Sequence, residues 1–275
     1  MSNEWFQFRQ FLIRQDRSAM KVGTDGVLLG AWAVGSRQSA VGNILDIGTG
    51  TGLIALMLAQ RFQEARIIAL EIDEAAAGQA RDNVDVSDWA GRIGVVQADF
   101  RNWWPPDNRR FDLIVCNPPF FTRSLKNPDV QRATARHDED LPLGDLIRKS
   151  EGLLSQVGKL ALILPVGRVG EAMELASGNG LYLRRRMDVR GNINAPVKRV
   201  LVEWGREEGI PRITELIIET GVRGVYTEEY RKLTGEFYPR FRGDDTAMKG
   251  MRLSPITLEA LSSRRRSGRR SKQRN

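Results

Sequence analysis

Cysteine and histidine are almost missing: the 275 residues include one cysteine, Cys116, and one histidine, His137. An internal disulfide framework, a Cys/His zinc site and any catalytic scheme with two histidines each need more of these residues than the chain has. All three are therefore excluded. A carboxylate-bound metal stays formally open, and we predict no metal centre.

Long apolar runs are missing as well. No stretch approaches the roughly 18 apolar residues that a membrane-spanning helix needs. The first residues also lack a cationic segment followed by an apolar one. The composition, 41% hydrophobic and 28% charged, is typical of a globular protein. We expect a cytoplasmic protein with no membrane partner and no evident obligate protein partner.

The net charge of +8 is concentrated at one end, because residues 263–275 hold seven cations and no acid. Such a run is usually disordered and often contacts phosphate groups, and a merely solubilising tail is the equal alternative. We expect three parts. Residues 1–42 form an N-terminal segment, residues 43–240 form the main domain, and residues 241–275 form a basic, disordered tail.

From about residue 43 the sequence alternates short apolar β-rich runs with helical stretches, which predicts a parallel sheet covered by helices. Strands are predicted at 43–48, 66–71, 92–99, 111–116 and 159–164, and helices at 53–62, 73–86, 143–154 and 168–177. Strands at 181–189 and 197–204 predict an antiparallel hairpin at the sheet edge. The predicted fold is α/β and Rossmann-like, a doubly wound and mostly parallel sheet of seven strands.

A glycine-rich turn follows the first strand of this sheet, in the order Asp46, Gly48, Gly50 and Gly52. Glycine lets the backbone approach a ligand closely, since it has no Cβ and tolerates positive φ. The dinucleotide fingerprint would need a glycine where Leu53 stands, and no P-loop lysine follows. The turn therefore predicts a nucleotide-like ligand without a pyrophosphate clamp.

Two acids stand at neighbouring predicted strand ends. Glu71 ends the second strand, where a carboxylate can accept both ribose hydroxyls of an adenosyl ligand. Asp99 ends the third strand and is placed to accept a hydrogen bond from an adenine amino group. Each acid alone could merely cap the next helix, and that is the interpretation we favour for Asp73. Together with the glycines, Glu71 and Asp99 favour cofactor contact.

This set resembles the class I S-adenosylmethionine-dependent methyltransferases, which carry a D-x-G-x-G-x-G loop, an acid after strand two and an Asp after strand three. The resemblance implies S-adenosyl-L-methionine as cofactor. On this interpretation the contacts come from Asp46, the three glycines, Glu71, Asp99 with Phe100 in Gln97-Ala-Asp-Phe100, and Asn117.

The tetrapeptide Asn117-Pro118-Pro119-Phe120 follows the fourth strand. Its prolines lack N–H donors, so the Asn117 side-chain oxygen and the Pro118 carbonyl are available to accept both hydrogens of an exocyclic NH₂. Phe120 can stack on the planar group and align it. In isolation the tetrapeptide would be a turn, but after this loop and strand we predict a catalytic site. It resembles the [DNS]-P-P-[YFW] motif of amino methyltransferases.

Two more stretches carry a narrower resemblance: residues 8–32, which include Lys-Val-Gly-Thr-Asp-Gly, and Ala133-Thr-Ala-Arg-His137. With Asn-Pro-Pro-Phe-Phe-Thr they resemble the bacterial tRNA1(Val) adenine-37 N6-methyltransferases over about residues 6–240. That resemblance implies N6-methylation of an adenine in a tRNA anticodon loop, with Lys21 to Asp25 near the methionine end of the cofactor. Thr24 and Asp25 are the best candidates there, and Phe120 stands where many relatives have tyrosine.

RNA binding needs cations, and four stand in the loop after the tetrapeptide: Arg123, Lys126, Arg132 and Arg136. They could hold phosphates around a flipped-out base, and a solvated polar loop is the alternative. Three other functions remain open. They are methylation of guanine N2 in ribosomal RNA, methylation of a protein glutamine at N5, and RNA binding without catalysis.

Overall fold

The computed structural model describes residues 3–18, 20–33, 41–118 and 141–241. The elements of these residues, in chain order, are β1 (Trp5–Gln7), β2 (Leu12–Arg14), α1 (Thr24–Trp32), β3 (Asn43–Ile47), α2 (Leu53–Arg61), β4 (Arg66–Glu71), α3 (Glu74–Asp85), β5 (Ile93–Gln97), β6 (Phe111–Cys116), α4 (Leu143–Leu153), β7 (Leu154–Pro165), α5 (Val169–Gly178), β8 (Tyr182–Asn192), β9 (Val197–Gly205), β10 (Arg212–Glu219) and α6 (Glu228–Thr234). The predicted strands and helices of the main domain are present, with ends shifted by a few residues.

The main sheet has the strand order β10-β8-β9-β7-β6-β3-β4-β5. Neighbours from β7 to β5 are parallel, β9 runs antiparallel to both β7 and β8, and β10 is parallel to β8. Apolar side chains on one face pack against α1, α2 and α3, and those on the other face pack against α4 and α5. The predicted α/β, Rossmann-like, mostly parallel architecture is confirmed.

Two details of the predicted sheet are wrong. The sheet has eight strands rather than seven, and the hairpin of β8 and β9 lies inside it rather than at its edge. The reason is β10, whose segment was not assigned to a strand and which pairs with β8 from Arg212 to Glu219. An unpaired strand edge exposes backbone donors and acceptors, and β10 satisfies those of β8.

The N-terminal residues contain structure that the sequence did not predict. β1 and β2 form a small antiparallel hairpin, and α1 is buried along Gly26–Trp32. A Cβ at Gly30 would lie 2.8 Å from Met57 Sδ, so this glycine lets α1 pack closely on α2. Phe8 and Val27 share one apolar cluster with Ile44 of the sheet. The described residues of 1–42 are therefore part of the same core as the main sheet.

Candidate functional site

The register of the parallel strands brings the predicted site residues to one edge. Ile47 pairs with Leu70 of β4 and with Cys116 of β6, and Glu71 pairs with Gln97 of β5. The glycine turn, Glu71, Asp99 and Asn117 therefore all lie where these strands end. Open α/β sheets bind ligands at this carboxyl edge.

The three glycines of the turn all have positive φ: +67° at Gly48, +56° at Gly50 and +83° at Gly52. A Cβ built on Gly48 or Gly50 would meet no described atom within 4 Å, whereas one on Gly52 would lie 3.5 Å from the Ala80 Cβ. The first two glycines thus leave open space beside the backbone. The third packs against α3, and all three need the left-handed conformation that side chains disfavour.

Asp46 lies beneath this turn and is fully buried. Its Oδ2 accepts hydrogen bonds from Thr49 Oγ1 at 2.6 Å and from the Ala55 N–H at 3.1 Å, which ties the turn to the start of α2. Its Oδ1 is buried without a partner among the described residues. Burial raises the pKa of Asp46 to about 7, against the lowering effect of these two hydrogen bonds. An unpartnered buried oxygen at a ligand-binding edge is a position where a bound group can donate.

Glu71 is held by three backbone donors at the end of β4. Its Oε2 accepts from the Gly50 N–H at 2.8 Å, and its Oε1 accepts from the N–H groups of Ile72 at 2.9 Å and Asp73 at 3.0 Å. A carboxylate offers about four acceptor positions, so one position remains for a ribose hydroxyl. The sequence had predicted that Glu71 accepts hydrogen bonds from both ribose hydroxyls. Ile72 beside it is 48% exposed and offers an apolar surface that the sequence analysis did not select.

Asp73 is the helix cap that we favoured. It is the N-cap of α3, and its Oδ1 accepts a hydrogen bond from the Ala76 N–H at 2.8 Å. The carboxylate therefore satisfies one of the backbone donors that the first turn of a helix leaves open.

Asp99 follows β5 and is already engaged by a cation. The Arg101 Nη2 donates to Asp99 Oδ2 at 2.7 Å, and the Arg101 backbone N–H donates to Oδ1 at 2.9 Å. These hydrogen bonds hold the pKa of Asp99 below its usual value. The ring of Phe100 is buried in the apolar cluster on the α4 side. The Arg101 Nε also donates to both Asp99 oxygens, so an adenine amino group has to replace one of the Arg101 contacts. Phe100 has its backbone rather than its ring available.

Asn117 and Pro118 follow β6, with Asn117 half-buried and Pro118 buried. Pro119 and Phe120 lie outside the described residues, as do the four loop cations and His137. Cys116, the last residue of β6, is buried, and burial raises the pKa of its thiol well above the usual value. Cys116 is therefore a protonated packing residue rather than a nucleophile.

The N-terminal candidates lie at the start of α1. Lys21 and Thr24 are exposed, and Asp25 is half-buried. Arg199 Nε donates to Asp25 Oδ2 at 2.7 Å. Arg199 pairs in register with Pro165, the last residue of β7, which places Asp25 at the same carboxyl edge. No local sequence pattern pointed to Arg199, because its partner is 174 residues away.

Asn83 of α3 is a second residue that the sequence analysis missed. Its side chain accepts from the Arg14 N–H at 2.9 Å and donates to the carbonyls of Arg14 and Thr51, both at 2.9 Å. One amide thus joins β2, α3 and the glycine turn. An asparagine on a helix has no sequence signal for such a role, since its partners come from two distant segments.

The described residues contain no group of three His, Cys, Asp or Glu side chains that could hold a metal ion. In the same part of the chain, no helix has both the length and the apolar character needed to cross a membrane.

Comparison with known proteins gives both a domain and a set of close relatives. Residues 33–165 match the model of the methyltransferase small domain. The chain is 48% identical over 240 residues to a tRNA1(Val) (adenine(37)-N6)-methyltransferase of Bacteroides thetaiotaomicron, an alignment that covers 86% of this chain and 98% of that protein. It is 43% identical over 243 residues to the enzyme of the same name from Trichodesmium erythraeum, covering 88% and 100%.

Solved structures show the same fold at low identity. A predicted O-methyltransferase from Agrobacterium tumefaciens aligns with a TM-score of 0.58 at 20% identity, covering 80% of this chain and 100% of that one. The methyltransferase subunit of a type I restriction-modification system from Streptococcus thermophilus aligns with a TM-score of 0.56 at 16% identity, covering 78% and 52%. These two likenesses concern the fold.

Proposed function

This chain belongs to the tRNA1(Val) (adenine(37)-N6)-methyltransferase family, and on that premise we propose that it methylates N6 of adenine 37 in the anticodon loop of tRNA1(Val). The family uses S-adenosyl-L-methionine as methyl donor. The observation that carries the proposal is the strand register that gathers the glycine turn, Glu71, Asp99 and Asn117 at one edge of the sheet. The backbone of a glycine turn, two carboxylates and a side-chain amide are thereby available side by side.

The residues at this edge fit the cofactor. Gly48 and Gly50 leave space beside their backbone, Asp46 has a buried oxygen without a described partner, and Glu71 has an acceptor position left. We assign the ribose to Glu71 and the adenine amino group to Asp99, with the backbone of Phe100 beside it. Lys21 and Thr24 are assigned to the methionine end. Asp25, which the sequence also predicted there, already accepts a hydrogen bond from Arg199. When bound, the cofactor supplies an electrophilic methyl group on a sulfonium.

The target amine is held by acceptors. The Asn117 side-chain oxygen and the Pro118 carbonyl accept the two N6 hydrogens, which directs the nitrogen lone pair away from both. Pro119 fixes the backbone after them, and Phe120 stacks on the base. Orientation alone can contribute several orders of magnitude to the rate, because the reacting atoms are already aligned. The buried Cys116 thiol takes no part.

The location and the domain organisation of the protein stay predictions from the sequence. They are the cytoplasmic location, the absence of an obligate protein partner, and the division into 1–42, 43–240 and a basic tail at 241–275. The family premise favours tRNA over ribosomal RNA and over a protein glutamine as substrate. A tRNA anticodon loop suits this site, because its bases are already single-stranded and accessible.

The test is direct. Purified protein is incubated with labelled S-adenosyl-L-methionine and unmodified tRNA, and the tRNA is digested to nucleosides. We expect label in N6-methyladenosine, and we expect Asn117→Ala to lose at least about 100-fold in rate, because orientation of the amine is lost. Asn179→Ala is the matched control. Asn179 lies between α5 and the amino end of β8, away from the carboxyl edge where the site lies. Label in guanosine, or in protein and not in RNA, would contradict the proposal.

A further inference from the structure

Arg199 lies at the carboxyl edge of the sheet, beyond β7 from the strand that leads into Asn117. Cys116, just before Asn117, pairs with Leu162 of β7, and Pro165, three residues further along β7, pairs with Arg199 of β9. Arg199 is therefore two strands from β6, roughly 10 Å, and somewhat further out along the edge. The glycine turn follows β3, on the opposite side of β6.

The Arg199 guanidinium keeps donors available. Its Nε donates to Asp25 Oδ2 at 2.7 Å, and its Nη1 donates to the Lys198 carbonyl at 3.2 Å. Its Nη2 has no partner within the described part of the chain, and the side chain is 37% exposed. One carboxylate thus fixes the orientation of the fork while part of the fork stays open to an anion.

The backbone around Arg199 is irregular in a way that redirects side chains. Val189 of β8 pairs with Arg199, and the next residue, Arg190, pairs with Val197, so two residues of β8 face three of β9. Such a β-bulge changes the direction of the side chains beside it, and bulges are frequent next to active sites. Arg199 lies at this irregularity, and its side chain meets Asp25 of α1.

Two oxyanions of the proposed reaction could meet an open guanidinium at this edge: the methionine carboxylate of the cofactor and a phosphate of the RNA. The ribose and adenine contacts of the cofactor are assigned to Glu71 and Asp99, beyond β3, and its methionine end is assigned to Lys21 and Thr24. The open side of Arg199 lies beyond β7, so the methionine carboxylate is the alternative ligand that the experiment below distinguishes. The substrate must approach Asn117 from the side that the cofactor leaves free. We infer that Arg199, oriented by Asp25, binds a phosphate group of the RNA backbone beside the target adenine, an inference that rests on the proposed function.

Asp25 is then a positioning residue that acts through Arg199. A carboxylate beside a phosphate site repels the phosphate, so Asp25 is expected to have a separate role there. Asp25 also lies in the first turn of α1, where the helix dipole favours a negative charge. The pair thus fixes the start of α1 to β9 and presents the remaining Arg199 donors in one direction.

The experiment measures tRNA affinity at several salt concentrations, cofactor affinity by calorimetry, and methylation rate, for each variant of the full chain. We expect Arg199→Gln to weaken tRNA binding about 10-fold, because a charge-assisted hydrogen bond is lost. The slope of log affinity against log salt should fall by about one, while cofactor affinity is unchanged. Arg212→Gln is the matched control, since it removes an exposed cation at the start of β10, away from the carboxyl edge of the sheet.

Two more variants separate an RNA contact from a structural tie. Asp25→Asn keeps the cation, so we expect weaker tRNA binding with an unchanged salt slope. The charge-swapped double variant, Asp25→Arg with Arg199→Asp, restores the ion pair but moves the cation to α1, and we expect no recovery of tRNA binding. Arg199→Lys keeps the charge without the planar fork and should lie between wild type and Arg199→Gln.

Each result that would contradict the inference has a different meaning. Full recovery of tRNA binding in the swapped variant would make the pair a structural tie only. Weaker cofactor binding with unchanged tRNA binding would assign Arg199 to the methionine carboxylate. An Arg199→Gln effect no larger than that of Arg212→Gln would also overturn the inference. If wild-type protein methylates no tRNA, the proposed function itself fails, and the inference fails with it.

Discussion

Replacement of the buried carboxyl group beneath the glycine turn should change how stability depends on pH. Asp46 is fully buried, and burial raises its pKa from 3.8 to about 7. The folded protein therefore holds this proton more tightly than the unfolded chain does. The resulting stabilisation is fully present below about pH 4 and is lost as the pH rises through about 7.

The size of the effect follows from the two pKa values. The difference between a pKa of 3.8 and one of about 7 corresponds to roughly 4 kcal/mol of unfolding free energy, and about 2 to 3 kcal/mol of it is lost between pH 5 and pH 8. Asp46→Asn cannot titrate. Its side-chain oxygen can still accept from Thr49 and Ala55, the partners that bond Asp46 Oδ2. We expect the variant to lack this part of the pH dependence.

Urea unfolding followed by tryptophan fluorescence at pH 5, 6, 7 and 8 measures the effect without any ligand. Other titrating groups contribute equally to both proteins, so the difference between wild type and Asp46→Asn isolates Asp46. Asp16→Asn, at an exposed position, is the control and should keep the wild-type profile. Equal pH profiles for wild type and Asp46→Asn would refute the reasoning, since they would mean that the buried carboxyl does not change its proton affinity on folding.

Two further predictions concern the cofactor contact and the packing of α2. Glu71→Gln should weaken S-adenosyl-L-methionine binding about 10-fold in calorimetry, because a charged acceptor held by Gly50 is replaced by a neutral one. The control is Glu74→Gln, in the first turn of α3. Equal losses of affinity in the two variants would contradict the assignment of the ribose to Glu71. Arg92→Met should lower the unfolding free energy by about 2 to 3 kcal/mol, because the guanidinium donates to the carbonyls of residues 59, 62 and 65. Arg66→Met removes an exposed arginine nearby, and a loss as large as that of Arg92→Met would show that the three carbonyls do not need the guanidinium.

Elements with a local periodic signal were predictable. Strands β4 and β6 were predicted with their observed bounds, and β3 and α4 within one residue at each end. In each, apolar residues repeat at the period of the element or form a short buried run bounded by turn residues. The missed helix α1 is buried along most of its length, so its apolar residues show no single face. An all-round apolar segment with glycines carries no helical period.

Strand β10 was missed although its β-branched residues gave a usable signal. Ile213, Thr214, Ile217 and Ile218 are typical of strands. The residues before it, Glu207 to Pro211, are typical of a loop, and nothing local shows which strand edge β10 pairs with. That pairing depends on the unpaired edge of β8, which exists only once the sheet has formed.

Residues adjacent in the chain were enough to predict the local features of the candidate site: glycines where positive φ is needed, an acid at each of two strand ends, and Asn-Pro-Pro-Phe after a third. These signals are readable because each depends on residues adjacent in the chain. Tertiary structure decided which groups are already occupied, as with Arg101 on Asp99, and which distant groups meet, as with Asp25 and Arg199. The physical reason is that charges pair through space, and strand order and register, rather than sequence separation, set those distances.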